Sequence, residues 1–213
     1  MGIAQETRTG SSLEKEFFMI YAVDLAREQF DRIAALDVGD PMPDDEMLTL
    51  QVVLYRWQTN CFGGATDWQM ALGMIEEAGE LDEADEADDD AARFDAVGDV
   101  AVFGCQLLTL HRLGLNIAIQ DAEYHAATRS YPRDVQGELT RAMGRVAKVV
   151  LKGNQKIRGL ADKDAYRAAI YKVTVDMFVA AMGPRYAKLG PIITKVANEV
   201  VLKRSKGHNA IPA

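Results

Sequence analysis

Apolar residues recur at three- and four-residue spacing along almost the whole chain, and no stretch alternates with period two between turn signals. The pattern predicts an all-α protein. From Leu13 to Leu36 the spacing sets Phe17, Ile20, Tyr21, Leu25, Phe30 and Ile33 near one side, ahead of the stop at Asp37-Val38-Gly39-Asp40-Pro41. A second helix begins after Pro43, with Asp44 as its cap, passes Trp57 and ends at Phe62-Gly63-Gly64. Thr66 or Asp67 caps a third that runs to about Ala87. A fourth spans about Ala91 to Leu113, with Gly114 placed to end it in the left-handed conformation. Asn116 to Tyr131 reads as a short helix before Pro132, followed by helices over Val135 to Leu151 and Asp162 to Met182. The Gly/Lys/Arg-rich stretch Lys152 to Leu160 joins those two as a loop, and a last helix follows Pro191 to about Arg204.

These elements divide the chain into an N-terminal helix and extension (1–40), an acidic helical half (44–128) and a basic helical half (132–206), the two halves packed as one domain. A faint internal duplication accompanies the division. Gly79-Glu80-Leu81 resembles Gly144-Arg145-Val146, and Val97 to Val102 resembles Thr174 to Val179, which sets Glu77 against Ala142 and Glu80 against Arg145. Short helical similarities also arise by chance, so the pattern alone leaves both explanations open.

The net charge of -8 conceals a strong asymmetry. Residues 1–128 carry 26 acids and 7 bases, whereas residues 129–213 carry 6 acids and 17 bases. Such a dipole suggests an acidic site and a basic site that work together, or an electrostatic contact between the halves. Nucleic-acid binding is disfavoured by the pI of about 5.0 and by aromatics that do not interleave with the bases. No apolar run approaches the roughly 20 residues of a membrane span, and the polar start lacks a signal core, so the expectation is a cytoplasmic protein without a membrane partner. Cys61 and Cys105 lie in or beside apolar stretches without metal-ligand spacing and read as buried thiols, and Met19, Met70, Met74 and Met177 as core filler.

The chemistry concentrates in Met74-Ile75-Glu76-Glu77-Ala78-Gly79-Glu80-Leu81 and, on the next helix, Asp95-Ala96-Val97-Gly98-Asp99. Residues three or four apart share a helix face, so Glu76 or Glu77 lies beside Glu80 and Asp95 beside Asp99. Carboxylates so placed among Leu72, Ile75, Leu81, Val97 and Val100 repel one another and are costly to bury. A hard divalent cation removes that cost, and oxygen ligands with room for water and phosphate suit Mg2+, with Mn2+ as the alternative, better than zinc or copper. The run Asp82 to Asp90, seven acids in nine positions, reads instead as a solvated stretch. A di-iron bundle is excluded because His111, His125 and His208 have no glutamate three residues before them.

At these residues the chain resembles the all-α NTP pyrophosphohydrolases, the MazG-like group that includes dimeric dUTPases, dCTP pyrophosphatases and phosphoribosyl-ATP pyrophosphohydrolase. The E-E-x-x-E motif stands as Glu76-Glu77-Ala78-Gly79-Glu80, and Trp57-Gln58 upstream and Gly98-Asp99-Val100 downstream resemble the same family, over roughly Leu48 to Leu113. The resemblance implies a MazG-type helical bundle, hydrolysis of a nucleoside triphosphate between the α and β phosphates, a role in nucleotide-pool housekeeping, and a homodimer. It implies Glu77, Glu80 and Asp99 as metal ligands with Glu76 as a further acid, taken here as the catalytic group that orients water. One departure stands out: the family's E-x-x-D would put an acid at position 96, where this chain has Ala96, leaving Asp95 as its substitute. If that substitution fails, the chain is a non-catalytic nucleotide-binding or regulatory module. A third alternative is phosphoribosyl-ATP hydrolysis on the same bundle.

A triphosphate carries more charge than one cation neutralises, so phosphoryl-transfer sites add Lys or Arg. Lys148 and Lys152 share a helical face, and Lys156 and Arg158 follow in the glycine-bearing stretch, making these four the substrate-binding candidates; Lys203, Arg204 and Lys206 form a second cluster. Trp57, and less so Phe62 and Trp68, offer rings on which a base could stack.

Overall fold

The structure is a computed structural model that describes residues 47, 50–52, 54, 55, 58, 66–130 and 135–197. Every regular element among them is helical. The five long helices are α1 (Asp67–Glu86), α2 (Asp90–Leu110), α3 (Leu115–Thr128), α4 (Val135–Asn154) and α5 (Lys163–Met182); residues 190–197 are also helical, and the rest of the last expected helix, to about Arg204, lies outside the described residues. Residues 47, 50–52, 54, 55 and 58 are also helical. The N-terminal helix expected over Leu13 to Leu36 lies outside the described residues, as do Cys61, Phe62 and the second basic cluster. None of the described helices is long and apolar enough to cross a membrane.

Local signals set the ends of α1. Thr66 accepts from the Gln69 amide at 3.3 Å while its own amide donates to Gln69 Oε1 at 2.8 Å, a capping box. Asp88 ends the helix at φ 54°, with its amide on Asp85 O and the Asp89 amide on Ala84 O, the paired bonds of a Schellman motif. Asp89 then caps α2 by accepting from the Ala91 and Ala92 amides. The acidic run spans the end of α1, the hairpin turn and the start of α2; it is largely solvent-exposed, as the sequence suggests, and is ordered by these caps. Arg93, 2% exposed, donates from Nε to Asp85 and from a terminal nitrogen to Asp90. The Asp85 hydrogen bond holds the guanidinium pKa above its ordinary value despite burial. Arg185, in the turn after α5, reaches the same two carboxylates.

Two other termini correct the sequence expectation. α2 ends at Leu110, and the left-handed residue is Arg112 (φ 56°), not Gly114; Gly114 has φ -74° and is the N-cap of α3. A buried glutamine stabilises this corner. Gln51 donates to Thr109 Oγ1 and Leu113 O and accepts from the Leu115 amide, serving both helix ends at once. α4 continues past the expected loop start, so Lys152 is helical, and Lys156 (φ 54°) closes it with a further Schellman pair, Lys156 to Gly153 O and Ile157 to Lys152 O. The segment expected as a short helix over Asn116 to Tyr131 is a full helix, Leu115–Thr128.

Four helices close a ring in which α1 packs on α2, α2 on α5, α5 on α4 and α4 on α1, with α3 laid on α5. Each adjacent pair is antiparallel. In α1/α2, Asp85 meets Arg93 at one end and Gly73 meets Phe103 at the other. In α4/α5, Arg145 faces Asp176 and Gly153 receives Tyr166. Tyr166 also bonds Asp67, which brings the start of α1 to the end of α4. The core holds Met70, Met74 and Met177, as the spacing predicts, together with Leu107, Leu108 and Phe178. Cys105 is buried too, and burial pushes its thiol up to about 12.

Burial recurs between the hairpins. Met74, Glu77, Ala78 and Leu81 are buried in α1, and Leu139, Ala142, Met143 and Val146 occupy the corresponding buried positions in α4. Arg93, Val97, Val100, Ala101 and Val102 in α2 match Ile170, Thr174, Met177, Phe178 and Val179 in α5, with Asp99 and Asp176 half-buried at equivalent places.

Left-handed backbone is strained for any residue with a Cβ, so Asp88→Gly and Lys156→Gly are each expected to stabilise the fold by roughly 1 kcal/mol. Chemical denaturation of both variants against wild type checks this.

Candidate functional site: an acidic helix seam and a basic helix end

Of the acidic candidates, Glu77 and Asp99 lie along the seam between α1 and α2. Gly73 lacks a Cβ because the Phe103 ring occupies that space, and this contact fixes how the two helices slide against each other. One turn further along α1, Glu76 and Glu77 come opposite Asp99; one turn beyond, Glu80 comes opposite Asp95 and Ala96. Glu77 is 8% exposed and Asp99 half-buried, whereas Glu76, Glu80 and Asp95 face solvent. Ala96 is buried, so the position where the resembling family carries an acid holds only a buried methyl group here. Among the described residues, no three His, Cys, Asp or Glu side chains converge closely enough, as they stand, to hold a metal ion.

The bases occupy the last turns of α4 and the turn after it. Lys148 is exposed, Lys152 half-buried, and Lys156 and Arg158 are exposed on left-handed backbone. Burial and the nearby charges of Arg158 and Lys148 lower the Lys152 pKa. Three of the four candidate cations are thus close enough to repel one another, an arrangement that an anion would relieve. Trp57 and Phe62 fall outside the described residues, while Gln58, beside Trp57, donates to the Met70 sulfur. Trp68 is exposed on α1.

A second cluster, invisible in the sequence, ties three helices together. Asp67 on the first turn of α1 accepts from His111 Nε2 at 3.1 Å and from the Tyr166 hydroxyl at 2.6 Å. The His111 ring stands edge-on to Tyr166, and Arg167 donates to the carbonyls of His111 and Arg112. Burial alone would raise the Asp67 pKa, but the bonds from His111 and Tyr166 outweigh it and hold it below the ordinary value. Burial, then the bond to Asp67, drives the Tyr166 hydroxyl pKa upward. No local motif announces this group, because its members come from the start of α1, the end of α2 and the start of α5. At most, Asp67 carries a helix-start signal.

Compared with models of known protein families, with curated proteins and with solved structures, the chain matches none.

A carboxylate whose folded pKa lies below its unfolded one contributes stability that is present above the unfolded pKa, here 3.8, and is lost as pH falls through the folded value. Asp67→Asn removes that contribution. Its destabilisation relative to wild type is expected to be full near neutrality and to shrink as pH falls below 3.8, read by urea unfolding across that range.

Proposed function

We propose that this protein is a Mg2+-dependent nucleoside triphosphate pyrophosphohydrolase that cleaves a ribo- or deoxyribonucleoside triphosphate to the monophosphate and pyrophosphate, works as a homodimer, and serves nucleotide-pool housekeeping. The observation that carries this reading is the α1/α2 register, in which Glu77 comes opposite Asp99, with Glu76 exposed beside it and Glu80 one turn further on. An all-carboxylate donor set with a half-buried member fits a hard cation. Glu77, Glu80 and Asp99 would hold it, with Asp95 at the edge of the seam. Bound there, the metal would polarise the phosphate oxygens and lower the pKa of water.

The remaining steps belong to the side chains of this chain. Glu76, exposed beside the ligands, orients the attacking water and takes its proton as the oxygen bonds to the α phosphorus and the α–β bridge breaks. Lys148, Lys152, Lys156 and Arg158, grouped at the end of α4 beside the start of α1, are the candidates to bind the pyrophosphate once it leaves the seam, and its charge would relieve their mutual repulsion. Trp57 stacks on the base.

In this reading the matched burial of the two hairpins is a fused duplication of the MazG type with a degenerate second half. Glu77 is replaced by Ala142, Glu80 by Arg145 and Arg93 by Ile170, while Asp99 survives as Asp176. The second copy has lost two metal-binding acids, and its bases follow further along α4. One observation favours a second reading, a nucleotide-binding module without turnover: Ala96, at the position where the resembling family carries an acid, is buried and has no carboxylate to offer.

The test is pyrophosphate release from a panel of nucleoside triphosphates and phosphoribosyl-ATP, with Mg2+ and with EDTA. Release is expected only with metal, with Glu80→Ala lowering kcat by roughly 100-fold or more. Lys152→Ala and Arg158→Ala are expected to raise KM about tenfold each, the size of one lost charge-assisted bond, with Mg2+ affinity unchanged. Mg2+ binding without release from any substrate would favour the second reading.

A further inference from the structure

The outward face of α1 carries an apolar stripe that the proposed chemistry does not use. Trp68, Leu72 and Ile75 are 39%, 60% and 40% exposed, and at helical spacing they lie on one line that continues through Gly79, where an added Cβ would meet nothing within 4 Å. Exposed Glu76, Glu80 and Glu83 flank this line. α4, packed beside α1, presents the opposite charge. Arg141, Arg145 and Lys148 are exposed there, Leu151 is 40% exposed, and Gly144 is as open as Gly79.

We propose that the α1/α4 face is the contact between two copies of this chain, α1 of each protomer lying on α4 of its partner. Charge selects that pairing. Two copies of α1 in contact would set glutamates against glutamates, and two copies of α4 would set bases against bases. A two-fold axis running along the helices avoids both, because it lays each acidic edge on a basic edge, twice per dimer. The apolar stripe is then covered, and the glycines let the backbones approach. This names the surface of the homodimer proposed above. It shares Glu76, Glu80 and Lys148 with the proposed chemistry, but its test reads assembly and not turnover, so its failure and the failure of the hydrolytic reading are distinguishable.

The experiment is sedimentation equilibrium of the full chain, with circular dichroism as the check on folding. Wild type is expected to be a dimer. Glu76→Arg with Glu83→Arg makes both faces basic, and Arg141→Glu with Lys148→Glu makes both acidic, so each double variant is expected to be monomeric alone. An equal mixture of the two is expected to restore the dimer. A monomeric wild type overturns the proposal, as does a dimer that survives reversal of the α4 charges, or a mixture that stays monomeric. Should either double variant fail to fold, Leu72→Asn replaces it: the side chain is 60% exposed in the protomer, so the fold keeps, and an undiminished dimer overturns the proposal.

Discussion

The register between α1 and α2 is the constraint on which the candidate site depends, and it is fixed at both ends. At the turn, the buried Arg93 guanidinium gathers Asp85 and Asp90; at the open end, Phe103 fills the space that a side chain at Gly73 would need. A slip of one residue along either helix would rotate an acid by about 100° off the seam. Arg93 therefore does more than neutralise a crowded turn. It ties the ends of both helices together at the turn, and with Phe103 against Gly73 this sets Glu77 opposite Asp99.

The other hairpin is built on the same plan with different chemistry. Its close approach is Tyr166 on Gly153, and its polar link between helices is Arg145 with Asp176. Tyr166 extends this link to Asp67 and His111, so the end of α4, the end of α2 and the start of α1 are held at one point. The basic turns of α4 are therefore anchored to the acidic hairpin through Tyr166, which packs on Gly153 and donates to Asp67. This lets the charge separation of the sequence persist in the fold without the two halves coming apart.

Much of this was legible in the sequence where the signals are local. Thr66 and Asp162 lie where helix-start chemistry puts them, and the periodicity gave α1, α5 and their buried methionines. The failures were of two kinds. Arg112 and Lys156 adopt left-handed backbone that glycine prefers, because the Schellman hydrogen bonds and packing outweigh the strain, and so Gly114 was a misleading stop. Long-range partners were the other kind. Nothing near Asp82 to Asp90 reveals that Arg93 turns inward to organise it with Arg185, and nothing near His111 points to Tyr166.

The central claim is that the α1/α2 seam is a divalent-cation site, and the most direct measurement is Mn2+ titration followed by electron paramagnetic resonance on wild type, Glu77→Gln and Asp99→Asn. Each substitution keeps the side chain's shape and removes its charge, so the register is undisturbed. The account predicts bound Mn2+ in wild type and at least tenfold weaker binding in both variants. Equal Mn2+ affinity in all three proteins, each shown to be folded, would contradict it.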